Sequence, residues 1–329
     1  MWRRWINPDY LVYIVLRLGA MIFQMFPIDW NLATARWMGW MWFRIMRRHR
    51  ERALEHLRFA YGDQLTDAER RRLALASMQQ MTMVAMETFF TTRLINEWTW
   101  PRYVRLKGVE PGLEVLTRRR GAILVTGHYG SWELCGYVLA TMGFPIVAVM
   151  RPLDNPYINS YLMDVRAKRG LQLLYKKGVS RSADEVLAGG GTLAFIADQN
   201  AGHKGLFVDF FGRKASTYKS IALLAIQHQV PIIVGYARRV SKRFEYELGV
   251  SRVIEPAEWS GRDDELMWIT QEYTRAIENF IREDPGQYLW IHRRWKSRPK
   301  DETAQGGSDG HASAPGQKTA QGCGDEPLG

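Results

Sequence analysis

Cysteine is almost missing from this chain. There are two in 329 residues, Cys135 in an apolar context and Cys323 in a Gly-rich tail. That excludes a disulfide framework and a thiolate metal site, and it suits a domain facing a reducing compartment. His203 and His228 have no carboxylate or second histidine at ligand spacing, so no metal is expected. Ser131 lacks the G-x-S-x-G elbow, which argues against a serine nucleophile. The run Gly189-Gly190-Gly191 lacks the lysine and hydroxyl residue of a phosphate loop, and it reads as a helix-to-strand turn. No internal repeat is evident. Negative charge is also in deficit: Lys and Arg number 45 against 34 Asp and Glu, a formal net charge of +11. The excess implies acidic partners, which include nucleic acid, anionic lipid headgroups and phosphorylated substrates. With 46% hydrophobic and 12% aromatic residues, the chain has ample material for a buried core and is not a disordered protein.

The N-terminus narrows the choice. Residues 10–28 are apolar apart from Arg17 and Gln24, and as one helix they would reach about 28 Å, close to a bilayer's hydrocarbon thickness. Arg17 near the middle makes a full span costly, and no A-x-A-like cleavage site follows. A helix embedded in or anchored to the membrane is expected. Trp30, Trp37, Trp40 and Trp42 stand just ahead of Arg44, Arg47, Arg48, Arg50 and Arg52, as an aromatic belt beside a basic patch would. The alternative is an amphipathic hairpin packed on the domain. Residues 1–58 hold ten Arg and four Asp or Glu, so six of the eleven net positive charges sit there. The expected organisation is an anchoring and interfacial segment at 1–58, a catalytic domain at 59–298, and a disordered tail at 299–329 rich in Gly, Ser, Ala, Gln and Pro.

Residues 51–61 and 66–92 read as helices from apolar recurrence at three and four residues. From residue 100 onward, short apolar runs at 121–126, 145–150, 171–175, 192–197 and 231–235 alternate with helical patterns at 132–142, 155–169, 181–188 and 218–229. A later strand at 244–254 and a closing helix at 263–282 complete the series. The alternation predicts an α/β layer fold whose substantially parallel sheet is flanked by helices, with its ligand site beyond the carboxyl ends of the strands.

The segment G-A-I-L-V-T-G-H-Y-G-S-W-E-L-C-G at 121–136 places a buried strand, a Gly-flanked turn and a helix start in succession. His128 lies at the strand's carboxyl end and Glu133 in the first helical turn. Five residues of separation across such a turn bring a carboxylate within reach of one imidazole nitrogen while the other faces a pocket. An alcohol is a poor nucleophile until a positioned base takes its proton, and His128 with Glu133 fixing its tautomer suits that task. Alone, H-x4-E is a weak signal, since histidine also caps strands and turns structurally. Cys135 reads as a buried small side chain. The basic run His292–Arg298 allows nucleic-acid binding, but a phosphate-facing or lipid-facing role, or a solvated face, fits better beside the N-terminal belt. Asp154 and Asp209 read as turn caps.

Further blocks follow in order: V-M-R-P-L-D-N-P at 149–156, F-I-A-D-Q-N at 195–200, H-K-G-L-F-V-D-F-F-G at 203–212 and Q-Y-L-W-I-H-R-R-W-K at 287–296. Together they resemble the bacterial lipid A biosynthesis acyltransferases, the lauroyl and myristoyl transferases, and their relatives that acylate phosphatidylinositol mannosides. The resemblance runs over nearly all of residues 5–298. It implies a glycerophosphate-acyltransferase-like fold and transfer of a fatty acyl group from acyl carrier protein or a coenzyme A thioester to a glycolipid hydroxyl. The reaction would need no cofactor or metal and would occur at the cytoplasmic face of the cell inner membrane, with membrane lipids as partners and no nucleic acid. By matching position it implies His128 as base, Glu133 as its partner, Arg151 as a residue that orients substrate or stabilises the oxyanion, and Asp198 as a further active-site acid. Two departures stand out: H-Y-G-S-W-E replaces the commoner H-F-G-N-W-E, and His56 stands where Asn is usual, which puts a lipid A acceptor in doubt. A different class of function, an inactive basic membrane-surface or nucleic-acid binding protein on the same scaffold, is the alternative. Oligomeric state is not legible.

Overall fold

Pro27 divides the N-terminal apolar segment. The computed structural model describes residues 7–150, 152–167, 170–175 and 179–299. Within them the single helix expected over 10–28 is two helices, α1 (Pro8–Gln24) and α2 (Ile28–Ile45). A proline holds the residue before it out of the helical region and is tolerated where a new helix starts, so the chain turns here. The Asn31 side-chain amide closes the corner by donating to the carbonyls of Phe23, Phe26 and Pro27 at 2.9, 3.1 and 3.1 Å. Among the described residues no helix is long and apolar enough to cross a membrane.

Helix α3 (Arg47–Tyr61) follows, and α4 (Asp67–Glu87) starts at a capping box in which Thr66 and Glu69 satisfy each other's backbone amides. Helix α2 lies along α4 so closely at Gly39 that a Cβ there would stand 2.5 Å from Gln79 Cα. Single turns α5 (Thr91–Leu94) and α6 (Trp100–Tyr103) lead into the α/β region.

That region runs β1 (Val104–Lys107), α7 (Glu110–Thr117), β2 (Ala122–Thr126), α8 (Trp132–Thr141), β3 (Ile146–Met150), α9 (Pro156–Ala167), β4 (Gln172–Tyr175), α10 (Val179–Ala188) and β5 (Thr192–Ile196). It continues as β6 (Leu206–Phe210), β7 (Arg213–Thr217), α11 (Ser220–His228), β8 (Ile232–Arg239), β9 (Tyr246–Ile254), α12 (Pro256–Trp259) and α13 (Glu265–Glu283). Seven strands form one sheet in the order β1-β9-β8-β2-β5-β3-β4, parallel throughout except where β9 meets β8. Every residue of β2 is buried, because helices cover both faces. Ile123 and Val125 enter the core under α3, α11 and α13, while Ala122 and Leu124 enter the opposite core under α7 and α8.

The expected strands and helices are present with shifts of a few residues at their ends. Features not anticipated include the edge strand β1, helix α7 and the antiparallel hairpin β6–β7, which forms its own sheet over α13. Gln271 holds that hairpin through both backbone groups of Asp209, at 2.7 and 2.9 Å. The basic run at 292–298 is a solvated face only in part, since Arg293 and Lys296 are exposed. Arg294 and Trp295 are buried, and the Arg294 guanidinium donates to the Ser216 carbonyl at 2.5 Å and to Thr217 Oγ1 at 2.6 Å. A guanidinium supplies enough donors to tie several loop carbonyls at once, so this arginine is framework. Of the tail expected at 299–329, residues 300–329 lie outside the described residues, as does Arg151.

Candidate active site

Strands β2 and β5 are parallel neighbours in register, with Thr126 opposite Ile196. The Ala197 amide donates to the Thr126 carbonyl at 2.9 Å, which carries the pairing one step past the strand ends. The next residues out are His128 and Asp198. One Asp198 oxygen accepts from the His128 backbone amide at 2.9 Å and the other meets His128 Nδ1 at 2.7 Å. The carboxylate is 1% exposed and the imidazole 10%. Burial alone would raise the Asp198 carboxyl, but the His128 ring, its hydrogen bonds and nearby His292 hold it well below the usual carboxylate range. An ionised carboxylate only accepts, so Nδ1 carries the proton and Nε2 keeps its lone pair in the neutral ring.

The turn that displays His128 is pinned from several directions. Gly130 has φ +55°, and a Cβ on it would fall 2.0 Å from the Ala237 carbonyl oxygen, so only glycine fits. The Gly130 amide donates to the Gln287 carbonyl at 3.1 Å, the Ser131 amide to the Ala237 carbonyl at 2.8 Å, and the Leu289 amide to the His128 carbonyl at 3.0 Å. Beneath them the Ser131 hydroxyl donates to Glu87 at 3.0 Å, and Glu87 pairs with the buried Arg239 guanidinium. Gln287 completes the brace by exchanging two hydrogen bonds with the Arg239 backbone, each 2.8 Å.

Two rings flank the imidazole. Trp132 meets it edge-on at 5.0 Å between centroids, and His292 stands 4.2 Å away on a tilted plane. Burial, then the neighbouring His128, pushes the His292 ring down to about 4, and its Nε2 is buried without a hydrogen-bond partner. An imidazole so placed stays neutral at pH 7.

Glu133 does not hold His128 Nδ1, the contact that the H-x4-E spacing suggested for one ring nitrogen. The carboxylate on Nδ1 is Asp198, and Glu133 lines the wall of a cavity of about 120 Å³ between α8 and the sheet. The reason is topological: parallel neighbours align their ends, whereas α8 winds away from the strand that precedes it. Cys135 is buried and pushed up to about 12 by that burial, which leaves an inert thiol. Among the described residues no group of three or more His, Cys, Asp or Glu could hold a metal ion. His292 went unrecognised as a site residue, because its approach to His128 depends on an isolated bridge between Tyr129 and Tyr288 that no local pattern announces.

A sequence model described as bacterial lipid A biosynthesis acyltransferase matches residues 2–297. A lipid A biosynthesis lauroyltransferase of Escherichia coli (strain K12) is 25% identical, over 91% of this chain and 93% of its own length. A lipid A biosynthesis palmitoleoyltransferase of the same organism is 26% identical, over 92% and 96%. A phosphatidylinositol mannoside acyltransferase of Mycolicibacterium smegmatis is 30% identical over 33% of this chain and 37% of its own. With nearly its whole length matched, the chain belongs to the bacterial lipid A biosynthesis acyltransferase family and is an O-acyltransferase.

Proposed function

We propose that this enzyme moves a fatty acyl group from an acyl carrier protein or coenzyme A thioester to a hydroxyl of a membrane glycolipid, a lipid A precursor or a close analogue. The observation that carries the reading is the doubly bonded His128–Asp198 pair against Trp132, whose ring lines an apolar cavity. His128 Nε2 takes the hydroxyl proton as the oxygen attacks the thioester carbonyl, and Asp198 stabilises the imidazolium that forms. The carbon–sulfur bond then breaks and the thiol leaves with a proton returned from His128. General base catalysis of this kind contributes about 10² to 10⁴ in rate. Glu133, on the wall of the same cavity, is the second acid of the proposed site, and Arg151 is the proposed substrate-orienting cation.

The same reading puts the protein on the cytoplasmic face of the inner membrane, with residues 1–58 as the lipid-contacting segment and 59–298 as the catalytic body. Support comes from α1, which leaves Leu11, Val12, Val15, Leu18, Met21 and Ile22 about half exposed, and from α2, where Trp30 and Trp37 project into solvent. Arg17 does not interrupt that face, since its guanidinium lies 4.5 Å over the Tyr161 ring of α9. A helix lying in the interface needs such an apolar side. The inactive-scaffold alternative is not favoured, because the relatives are named as transferases.

The test is thiol release from acyl thioesters by purified protein, with and without a glycolipid acceptor. Lipid-dependent release by the native chain and its loss in His128→Ala are expected, and release unchanged in His128→Ala would remove the proposed base.

A further inference from the structure

The cavity beside Glu133 is hollowed by small residues on facing elements. Across the sheet, Leu124, Ala194, Ala148 and Leu173 are paired side by side on β2, β5, β3 and β4, so two alanines form the middle of the floor. In the roof, α8 carries Gly136 in its interior, where glycine weakens a helix relative to alanine. No close approach demands that glycine: a Cβ would meet only Leu171 and Ile146 methyls at 3.7 and 3.8 Å. Its evident effect is to leave the lumen open.

On the other side of Leu124 the same face of the sheet holds a second cavity of about 20 Å³ under α7 and α8, lined by Leu116, Leu139, Ile233 and Leu248 among others. Leu124 from the sheet and Cys135 from the helix line both cavities and so stand between them. Cys135 has no chemical task that competes with this one, since burial keeps its thiol protonated.

We infer that Leu124 and Cys135 form the inner wall of the acyl-chain pocket and, with Gly136 setting its bore, determine which chain length the enzyme accepts. The smaller cavity behind the wall is the space a longer chain enters when the wall is cut back. This rests on the acyl-transfer reading above. The acyl group enters past Thr126 and Trp132, whose ring touches His128, and its hydrocarbon end runs down to Leu124 and Cys135, with Ala194 and Ala148 leaving room beside it. Each methylene buried is worth about fourfold in affinity, so a wall moved by two carbons changes the preference about 15-fold.

The experiment measures kcat/KM of the full-length enzyme on saturated acyl-coenzyme A thioesters of successive even chain lengths, with a glycolipid acceptor. Gly136→Val is expected to lower the long-to-short ratio about 15-fold, and Leu124→Ala to raise it by a similar factor. Gly136→Ala adds one methyl to the lumen while favouring the helix, so it reads the same effect in a chain that folds even if Leu124→Ala does not. Ratios unchanged from the native enzyme in both Gly136 variants would overturn the inference. His128→Ala separates the two levels: its activity on every donor would sink the acyl-transfer mechanism itself, whereas its inactivity beside unshifted Gly136 profiles would sink only the chain-length assignment.

Discussion

Glu87 and Ser131 meet under the His128 turn, 3.0 Å apart, and the Glu87 carboxylate also takes the guanidinium of Arg239. The contact joins α4 to the turn that presents His128, and both charged partners are almost fully buried. Removing one member leaves the other as an uncompensated buried charge. Glu87→Leu should therefore lose about 3–5 kcal/mol of stability, and the double replacement Glu87→Leu with Arg239→Met should recover most of it. Urea unfolding of the three proteins provides the check.

Asp198→Asn removes the acceptor that keeps the proton on Nδ1. An amide in that place favours the wrong tautomer, and turnover should fall by about 10³ or more with the fold intact. The stability difference between the two proteins has a defined pH dependence. Asp198 is held below its ordinary value in the folded chain, so its contribution is present above about pH 4, the unfolded value, and fades as acid protonates the unfolded carboxylate and then the folded one. The gap in unfolding free energy should narrow steadily below that pH; a gap that widens in acid would contradict it.

His292 carries the same sign at a higher pH, through burial of a neutral ring rather than through pairing. Its folded value is about 4 against about 6.5 in an unfolded chain, so protonation favours unfolding and stability declines as pH falls from about 6.5 toward 4. The full effect is on the order of 3 kcal/mol. His292→Gln, which does not titrate, should flatten the stability profile between those limits, as measured by denaturant midpoints across the range.

Gly130→Ala places a methyl against the Ala237 carbonyl and demands an αL backbone from an L side chain. The turn must shift, and a shift of one ångström at the base costs about a hundredfold in rate. Activity should fall by that order while melting changes by only a few degrees, which calorimetry and thiol release measured together will show.

Glutamate at Val15 and Leu18 puts charge on the exposed side of α1 without touching the Arg17–Tyr161 contact. Co-sedimentation with anionic vesicles should drop sharply, while thiol release from a water-soluble thioester should change little. Unaltered sedimentation would remove α1 as the lipid-contacting helix.

The sheet was legible because its strands announce themselves locally: β2 and β5 are short apolar runs bounded by glycine turns, and α8, α11 and α13 have helical recurrence. Pro27 was legible too, yet the apolar run around it outweighed its effect on the backbone. The partner of His128 was harder to see. Glu133 is near in sequence, but the neighbour in space is Asp198, seventy positions away, brought in by strand order that no local pattern specifies. Arg294 and His292 read as charge and aromatic interleaving, and only the bridge from Tyr129 to Tyr288 reveals that this stretch turns inward.

That bridge also orders events in time. The His128 carbonyl accepts from the Leu289 amide and the Gly130 amide donates to the Gln287 carbonyl, and both partners leave the ribosome after every strand and helix of the α/β body. Until this final stretch docks, a nascent chain holds the His128 turn only through Asp198, Ala237 and Glu87, so truncation before Gln287 should leave every strand in place and the proposed base less firmly aimed.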